Sequence, residues 1–329
     1  MKLQHIIGAD LSKESIDLVC YQLQSHFKIT NSTSGFGQML RWLKQQRINY
    51  SDSMIVMEHT GLYSYHLEKF LHQHQISFTK VSALAIKRSL GLIRGKNDKV
   101  DAQRIARYGF EKRNQLQAEK PMDKGFQRLQ MLHSTRERLT KHRSSLICAL
   151  KEYGIILYST DPIMNSHKKL IKELSVQIKL IEEQIKQCIQ TAESSISRNF
   201  KLLTGITSVG PVIATATILK TKNFTAFKDG RKFSCYCGSA PFDHSSGKSI
   251  RKKTRVSHLA DKRMKTLLTL GARTAIQHDK ELKEFYERRL LMGKSKNSTI
   301  NIVRNKIILR MFAVINRQTP FVKQYSKAV

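Results

Sequence analysis

The N-terminal third of the chain alternates short apolar runs with amphipathic stretches. Leu3–Leu11 is apolar enough for a strand, Ser12-Lys13-Glu14 supplies a turn and Ile16–Tyr21 a second strand, which together predict a hairpin. Gly35–Gln46 places Phe36, Leu40, Trp42 and Leu43 on a helical period, and Ser53–Glu58 is a buried-strand run that closes on an acid. A helix reaching His74 and a strand at Ser77–Val81 follow. Strands and helices in alternation predict an α/β domain built on a mixed sheet.

From Phe126 the pattern lengthens. Leu129, Leu132, Leu139, Leu146 and Leu150 recur at about seven residues, and Ile171, Leu174, Ile178, Ile181, Ile185 and Cys188 alternate steps of three and four. Gly154 and Asp161-Pro162 interrupt them, so the prediction is an antiparallel coiled-coil hairpin with arms on the order of 40 Å at about 1.5 Å per residue. Spacer and dimerisation element are both open roles for it. Leu203–Ala214 then carries Gly205 and Gly210 in what reads as the turn of a helix-hairpin-helix, whose backbone amides can grip a phosphate; an ordinary helix–helix turn is the alternative.

A helix ending near Cys237 leads into a polar loop, Gly238–Ser249, and on to Arg251, Lys252, Lys253 and Arg255. Three helices, Asp261–His278, Glu281–Met292 and Thr299–Asn316, complete an all-α C-terminal part. The division expected is 1–120, 121–200 and 201–329. Gly247-Lys248-Ser249 is not a P-loop, because Phe242 occupies the first glycine position and no strong strand precedes it.

Charge narrows the function. Across 329 residues, 58 Lys+Arg against 25 Asp+Glu give a formal charge of +33, which calls for a polyanion, most economically nucleic acid. A membrane-surface role would want a basic amphipathic segment or a lipidation signal, and neither is present. The first apolar run is too short for a signal peptide and no later one is long enough to span, so a cytoplasmic protein is expected. Cys20, Cys148, Cys188, Cys235 and Cys237 are odd in number and scattered, against a disulfide framework; Cys235-Tyr236-Cys237 has no partner pair for zinc and reads as part of a helix.

The candidate chemistry centres on Gly95–Arg107. Asn97 is a good N-cap, and Asp98 and Asp101, three residues apart, share a helix face. They can simply favour the positive end of the helix dipole. They gain a second meaning from Asp10 and Glu58, acids at the ends of apolar strands, where a carboxylate is costly to bury unless paired or holding a cation. Four such acids on elements that can meet at one sheet edge suit magnesium or manganese, and two ions about 3.5 to 4 Å apart support phosphoryl transfer. Lys87, Arg88, Arg94, Lys96, Lys99 and Arg104 surround this set and would neutralise a phosphate backbone. A metal-dependent junction nuclease and a non-catalytic RNA- or DNA-binding protein are the other readings of these residues.

Taken in order, Gly8-Ala9-Asp10, Glu58-His59-Thr60-Gly61, Asn97-Asp98-Lys99-Val100-Asp101-Ala102, the Gly205/Gly210 turn and Pro241–Gly247 resemble the DEDD transposases of the insertion-sequence 110 family over nearly the whole chain. The resemblance implies a RuvC-like, RNase H-type N-terminal domain with Asp10, Glu58, Asp98 and Asp101 as metal ligands. It also implies a C-terminal transposase domain whose nucleophilic serine precedes a glycine, matching Ser246 before Gly247, with Ser245 and Ser249 as neighbours. Such enzymes excise and insert their element, are guided by a structured bridge RNA and assemble on DNA as tetramers, so donor and target double-stranded DNA, a bridge RNA, a dimer-to-tetramer state and nucleoid association are expected of this chain. Lys252, Lys253 and Leu259-Ala260-Asp261 stand where the family tends to small residues and glycine.

Overall fold

The computed structural model describes residues 3–59, 61–89, 91, 97–121, 123–246 and 250–322, with backbone alone at 243–246 and 250–253. The chain divides into two compact units, Met1–Pro121 and Met122–Val329.

The first unit runs β1 (His5–Leu11), β2 (Ser15–Cys20), β3 (Ser25–Thr30), α1 (Thr33–Gln45), β4 (Ser53–Glu58), α2 (Tyr65–Gln73), β5 (Phe78–Val81), α3 (Ala83–Ser89) and α4 (Asp98–Glu111). The strands form one mixed sheet in the order β3-β2-β1-β4-β5, antiparallel from β1 to β3 and parallel from β1 through β4 to β5. Both faces are covered, which is why β1 and β4 read as continuous apolar runs. Ile7, Ala9, Ile55 and Met57 pack with Phe36 and Met39 of α1 and Leu67 and Leu71 of α2. On the opposite face Ile6, Met54 and Val56 pack with Ile105, and Val19 with Ala102 and Ala106, all three alanine and isoleucine partners belonging to α4.

The predicted hairpin is therefore the first two strands of a three-stranded meander. The third strand, β3, is an edge strand in which only Ile29 is buried, so its apolar signal is weak.

The second unit opens with α5 (Lys124–Tyr153) and α6 (Pro162–Thr191), started by Asp123 and Asp161, whose carboxylates accept from Phe126 N and Ile163 N at 2.8 Å. The two run antiparallel: Arg136 pairs with Glu182, Arg143 donates to Ser175, and Leu129 and Leu132 pack with Ile185 and Ile189. There follow α7 (Ser194–Thr204), α8 (Pro211–Lys220), α9 (Gly230–Tyr236), β6 (Phe242–Ser246), β7 (Ile250–Arg255), α10 (Lys262–His278), α11 (Lys280–Leu291) and α12 (Lys296–Arg317). Leu203, Ile218, Phe233, Leu268, Ile307 and Phe312 are buried in its core.

This unit is mostly helical rather than all-α. Part of the predicted polar loop forms an antiparallel ribbon of β6 and β7, with Ser246 opposite Ile250, Ser245 opposite Arg251 and His244 opposite Lys252. The segment holds few apolar residues, so it has no two-residue hydrophobic period for a sequence reading to detect.

Directly after the ribbon, Asp261 ties three helices together. Its carboxylate caps α10 at Met264 N (2.8 Å) and accepts from Tyr236 OH of α9 (2.9 Å) and Lys220 Nζ of α8 (2.8 Å). Losing the cap and leaving these donors without an acceptor should together cost about 2 to 3 kcal/mol. Urea denaturation of Asp261→Ala is expected to show that loss as a lower midpoint with an unchanged slope.

Candidate active site

Register assembles the acids. Asp10 of β1 lies opposite Asp17 of β2, and Ala9 lies opposite Met57 of β4, so Glu58 falls beside Asp10 at the same sheet edge. Residues opposed across a ladder project to the same side of the sheet and residues two apart share a face. Asp17, Asp10 and Glu58 therefore form a row on the face that also carries Gly8 and Val56, the face covered by α4.

The helix comes this close because two glycines allow it. A Cβ on Gly8 would stand 2.3 Å from both Ala102 O and Ala106 N, and a Cβ on Gly109 would stand 2.7 Å from Val56 Cγ2 and 2.8 Å from Ile6 Cγ2. These contacts also give its direction. Gly109 lies over Ile6, and Ala102 and Ala106 lie over Gly8, so the N-terminal turn reaches the Asp10 end of β1. Asn97 starts that turn as predicted, its Oδ1 accepting from Val100 N at 2.8 Å, and Asp98 and Asp101 sit in it. The positive end of the helix dipole favours carboxylates there.

The acids feel one another. Burial, followed by repulsion from Asp101, Asp98, Glu58 and Asp17, pushes the Asp10 carboxyl from 3.8 up to about 6. Counter-charges are already present: Arg104 Nη1 donates to Asp101 Oδ1 at 2.7 Å, and Lys28 Nζ lies 3.2 Å from Asp17 Oδ2 and 3.7 Å from Asp98 Oδ2. His26 Nε2 is 2.7 Å from the other oxygen of Asp17. Asp17, His26 and Lys28 were not among the sequence candidates. Asp17 carries the one signal that reveals them, since a carboxylate inside so apolar a run as Ile16–Tyr21 requires partners.

Carboxylate oxygens are the donors that magnesium and manganese take, and mutual repulsion at Asp10 is the strain a cation relieves, so the donor chemistry fits a hard divalent ion. Among the described residues no group of three or more His, Cys, Asp or Glu is drawn together as a ligand shell. Asp98 is 67% exposed and lies toward Lys28, and Asp101 is held by Arg104. Closing a shell on Asp10 means turning these two carboxylates away from their present partners.

The linkage has a definite sign. Folded Asp10 holds its proton more tightly than the unfolded chain does, so its contribution to stability is complete below 3.8 and is lost as the pH rises through about 6. In a divalent-free buffer at pH 8, Asp10→Asn is expected to melt above the wild type, the difference closing below pH 4 as measured by scanning fluorimetry. Coincident melting at both pH values would contradict the raised Asp10 carboxyl.

The expected nucleic-acid contacts fall in several places. Lys87 and Arg88 at the end of α3 and Lys99 in the first turn of α4 are exposed, whereas Arg104 is engaged with Asp101. Arg94, Lys96, Gly247, Lys248 and Ser249 lie outside the described residues. Ser246 is the last residue of β6; Arg251, Lys252, Lys253 and exposed Arg255 follow in β7.

Gly205 ends α7 and Gly210 starts α8. Between them Ser208, not a glycine, takes the left-handed conformation at φ 79°. Space is open where a Gly210 Cβ would be, and the turn lies against α10, where a Cβ on Gly271 would be 3.2 Å from Ser208 O. A groove of about 730 Å³ follows the turn, flanked by Arg136 and Arg263, which are held by Glu182 and Glu137.

Asp10 and Glu58 thus stand at neighbouring strand ends of a mixed sheet, in a chain of +33 formal charge. A family model described as a transposase matches residues 7–153, and a second, described as a transposase of the IS116/IS110/IS902 family, matches residues 200–287. The chain belongs to this family and is a DNA transposase or recombinase. It is 26% identical to the pilin gene-inverting protein of Moraxella bovis over 97% of this chain and 98% of that one, and equally to its Moraxella lacunata counterpart. To the transposase for insertion sequence element IS1111A of Coxiella burnetii it is 24% identical, over 69% of this chain and 68% of that one. No helix among the described residues is long and apolar enough to cross a membrane.

Proposed function

We propose that this transposase cuts and rejoins double-stranded DNA through the hydroxyl of Ser246, assisted by a divalent cation held by Asp10, Glu58, Asp98 and Asp101 and directed by a structured bridge RNA. What supports the metal site is the placement of Asp10 and Glu58 side by side on the sheet face that α4 covers, with Asp98 and Asp101 in the first turn of that helix; burial first, and repulsion from these acids second, pushes the Asp10 carboxyl up to about 6. Strand order β3-β2-β1-β4-β5 supports a RuvC-like, RNase H-type domain over 1–120. The long antiparallel pair α5 and α6 supports a coiled-coil arm over 121–200, and the α7–α8 turn a helix-hairpin-helix at the head of a transposase domain over 201–329. The excess positive charge suits an assembly of DNA, RNA and two to four copies of the chain.

In this mechanism Ser246 attacks a phosphodiester, forming an Oγ–P bond as the bond to the departing strand breaks, and the phosphoserine conserves the energy for rejoining. When bound, magnesium or manganese supplies Lewis-acid stabilisation of the charge on the phosphoryl oxygens. The carboxylates hold that ion, and Asn97 and the α4 dipole fix the turn that presents two of them. Exposed Lys99 and Arg255 take phosphates along the strand.

Purified protein, bridge RNA, magnesium and two plasmid-borne sites test the reading. Asp10→Asn, Glu58→Gln, Asp98→Asn and Asp101→Asn are each expected to lose recombination and calorimetric magnesium binding while still melting cooperatively. Recombination that survived the substitutions would remove the acids from the chemistry. Equal recombination with an unrelated RNA of the same length would remove guidance.

A further inference from the structure

Next to the groove along the Thr204–Pro211 turn lies a second hollow, a cavity of about 470 Å³ that shares Arg136, Pro211 and Val212 with it. Its size falls within the roughly 300 to 1,000 Å³ of small-ligand pockets. Ile185 of α6, Phe200 of α7 and Val212 of α8 make much of its wall apolar. Two of its lining residues are buried and carry a polar atom without a protein partner: His133 Nδ1, on a residue 7% exposed, and Thr215 Oγ1, on a residue 1% exposed. Atoms of this kind are expensive to leave unpaired.

The imidazole's state follows from its other side. His133 Nε2 lies 3.6 Å from Glu137 Oε1, and burial holds the ring below its ordinary pKa, so it is neutral. With its proton on Nε2 toward the carboxylate, Nδ1 is a hydrogen-bond acceptor. Thr215 adds a hydroxyl that donates or accepts. Arg136, Glu182, Glu183 and Lys186 also line the cavity, and within its largely apolar wall an aromatic ring, an acceptor and a hydroxyl match a flat heteroaromatic ring with a polar edge.

We infer that this cavity receives one unstacked nucleobase, beside Phe200 and hydrogen-bonded to His133 Nδ1 and Thr215 Oγ1, from a strand whose phosphates follow the Gly205–Gly210 turn. It rests on the reading of that turn as a phosphate grip. A base stacked on an aromatic side chain contributes directly to strand affinity, so removing that base should weaken binding about tenfold. DNA and RNA share the chemistry, and the test separates them.

Full-length protein is titrated with single-stranded DNA and RNA oligonucleotides, each carrying one abasic position, and the position is moved along the strand. At one position the wild type is expected to lose about tenfold in affinity. Val212→Trp, which fills the cavity, and Thr215→Val, which removes the hydroxyl without changing the shape, are expected to bind the intact strand more weakly and to abolish or reduce the penalty at that position alone. Should Val212→Trp fail to fold, Thr215→Val decides. The nucleic acid in which the penalty occurs is the source of the base. A flat scan, or a penalty unchanged in both variants, overturns the nucleobase pocket. Gly210→Pro, which removes a backbone N–H of the turn at a φ of −76° that proline accommodates, serves the underlying reading separately: affinity and salt dependence indifferent to it would overturn the phosphate grip, whereas weaker binding with a flat scan would leave the grip standing and remove only the base.

Discussion

Gly8→Ala is expected to reduce recombination by about 100-fold or more although it adds one methyl group and removes no functional side chain. That methyl would stand 2.3 Å from Ala102 O and Ala106 N, and these are backbone atoms that no rotamer change can move aside. Helix α4 must retreat from β1, at an overpacking cost of about 1 to 3 kcal/mol. The retreat carries Asp98 and Asp101 away from Asp10 and Glu58, and a shift of about 1 Å in a catalytic constellation can cost about 100-fold. Gly109→Ala is the comparison. Its methyl meets side-chain tips, Val56 Cγ2 and Ile6 Cγ2, at the far end of the same contact, so a smaller loss is expected. Recombination rate and melting temperature measured together separate the effects: Gly8→Ala should lose activity out of proportion to stability. Wild-type activity in Gly8→Ala would mean that the closeness of α4 to β1 does not set the site.

What the sequence made legible follows from what hydrophobic periodicity can report. Strand β4 was readable to its last residue, Glu58, because a sheet covered on both faces produces an unbroken apolar run. The start of α4 was readable because Asn97 caps in the ordinary way, and the long helices because their leucines and isoleucines recur at steps of three, four and about seven. Edge strand β3 was lost with its weak apolar signal, and with it His26 and Lys28, whose importance depends on Asp17 opposite Asp10 and on Asp98 arriving from a helix some seventy residues later. The β6–β7 ribbon was lost because its pairing is backbone hydrogen bonding with little apolar alternation. Gly8 was visible as a residue but not as the point of closest approach, which exists only once α4 lies on the sheet.

Ser246→Ala is expected to eliminate covalent attachment of the protein to DNA while leaving fold and DNA affinity intact. The substitution deletes a hydroxyl and no charge, and it falls at the end of β6, where the ladder to Ile250 is made by the backbone. Asp98→Asn is expected to eliminate the same adduct by a different route, loss of a cation ligand, and raised magnesium should restore part of it. Ser246→Ala should not respond to magnesium. Ser249→Ala, in the same segment of sequence, should retain most of the activity. The decisive measurement is a denaturing gel of labelled target DNA incubated with bridge RNA, magnesium and each variant. Wild type and Ser249→Ala are expected to shift label into a protein-linked band that protease removes, and Ser246→Ala to leave the DNA uncut. Full cleavage by Ser246→Ala, with free DNA ends and no protein-linked band, would contradict a serine nucleophile and assign the cut to activated water.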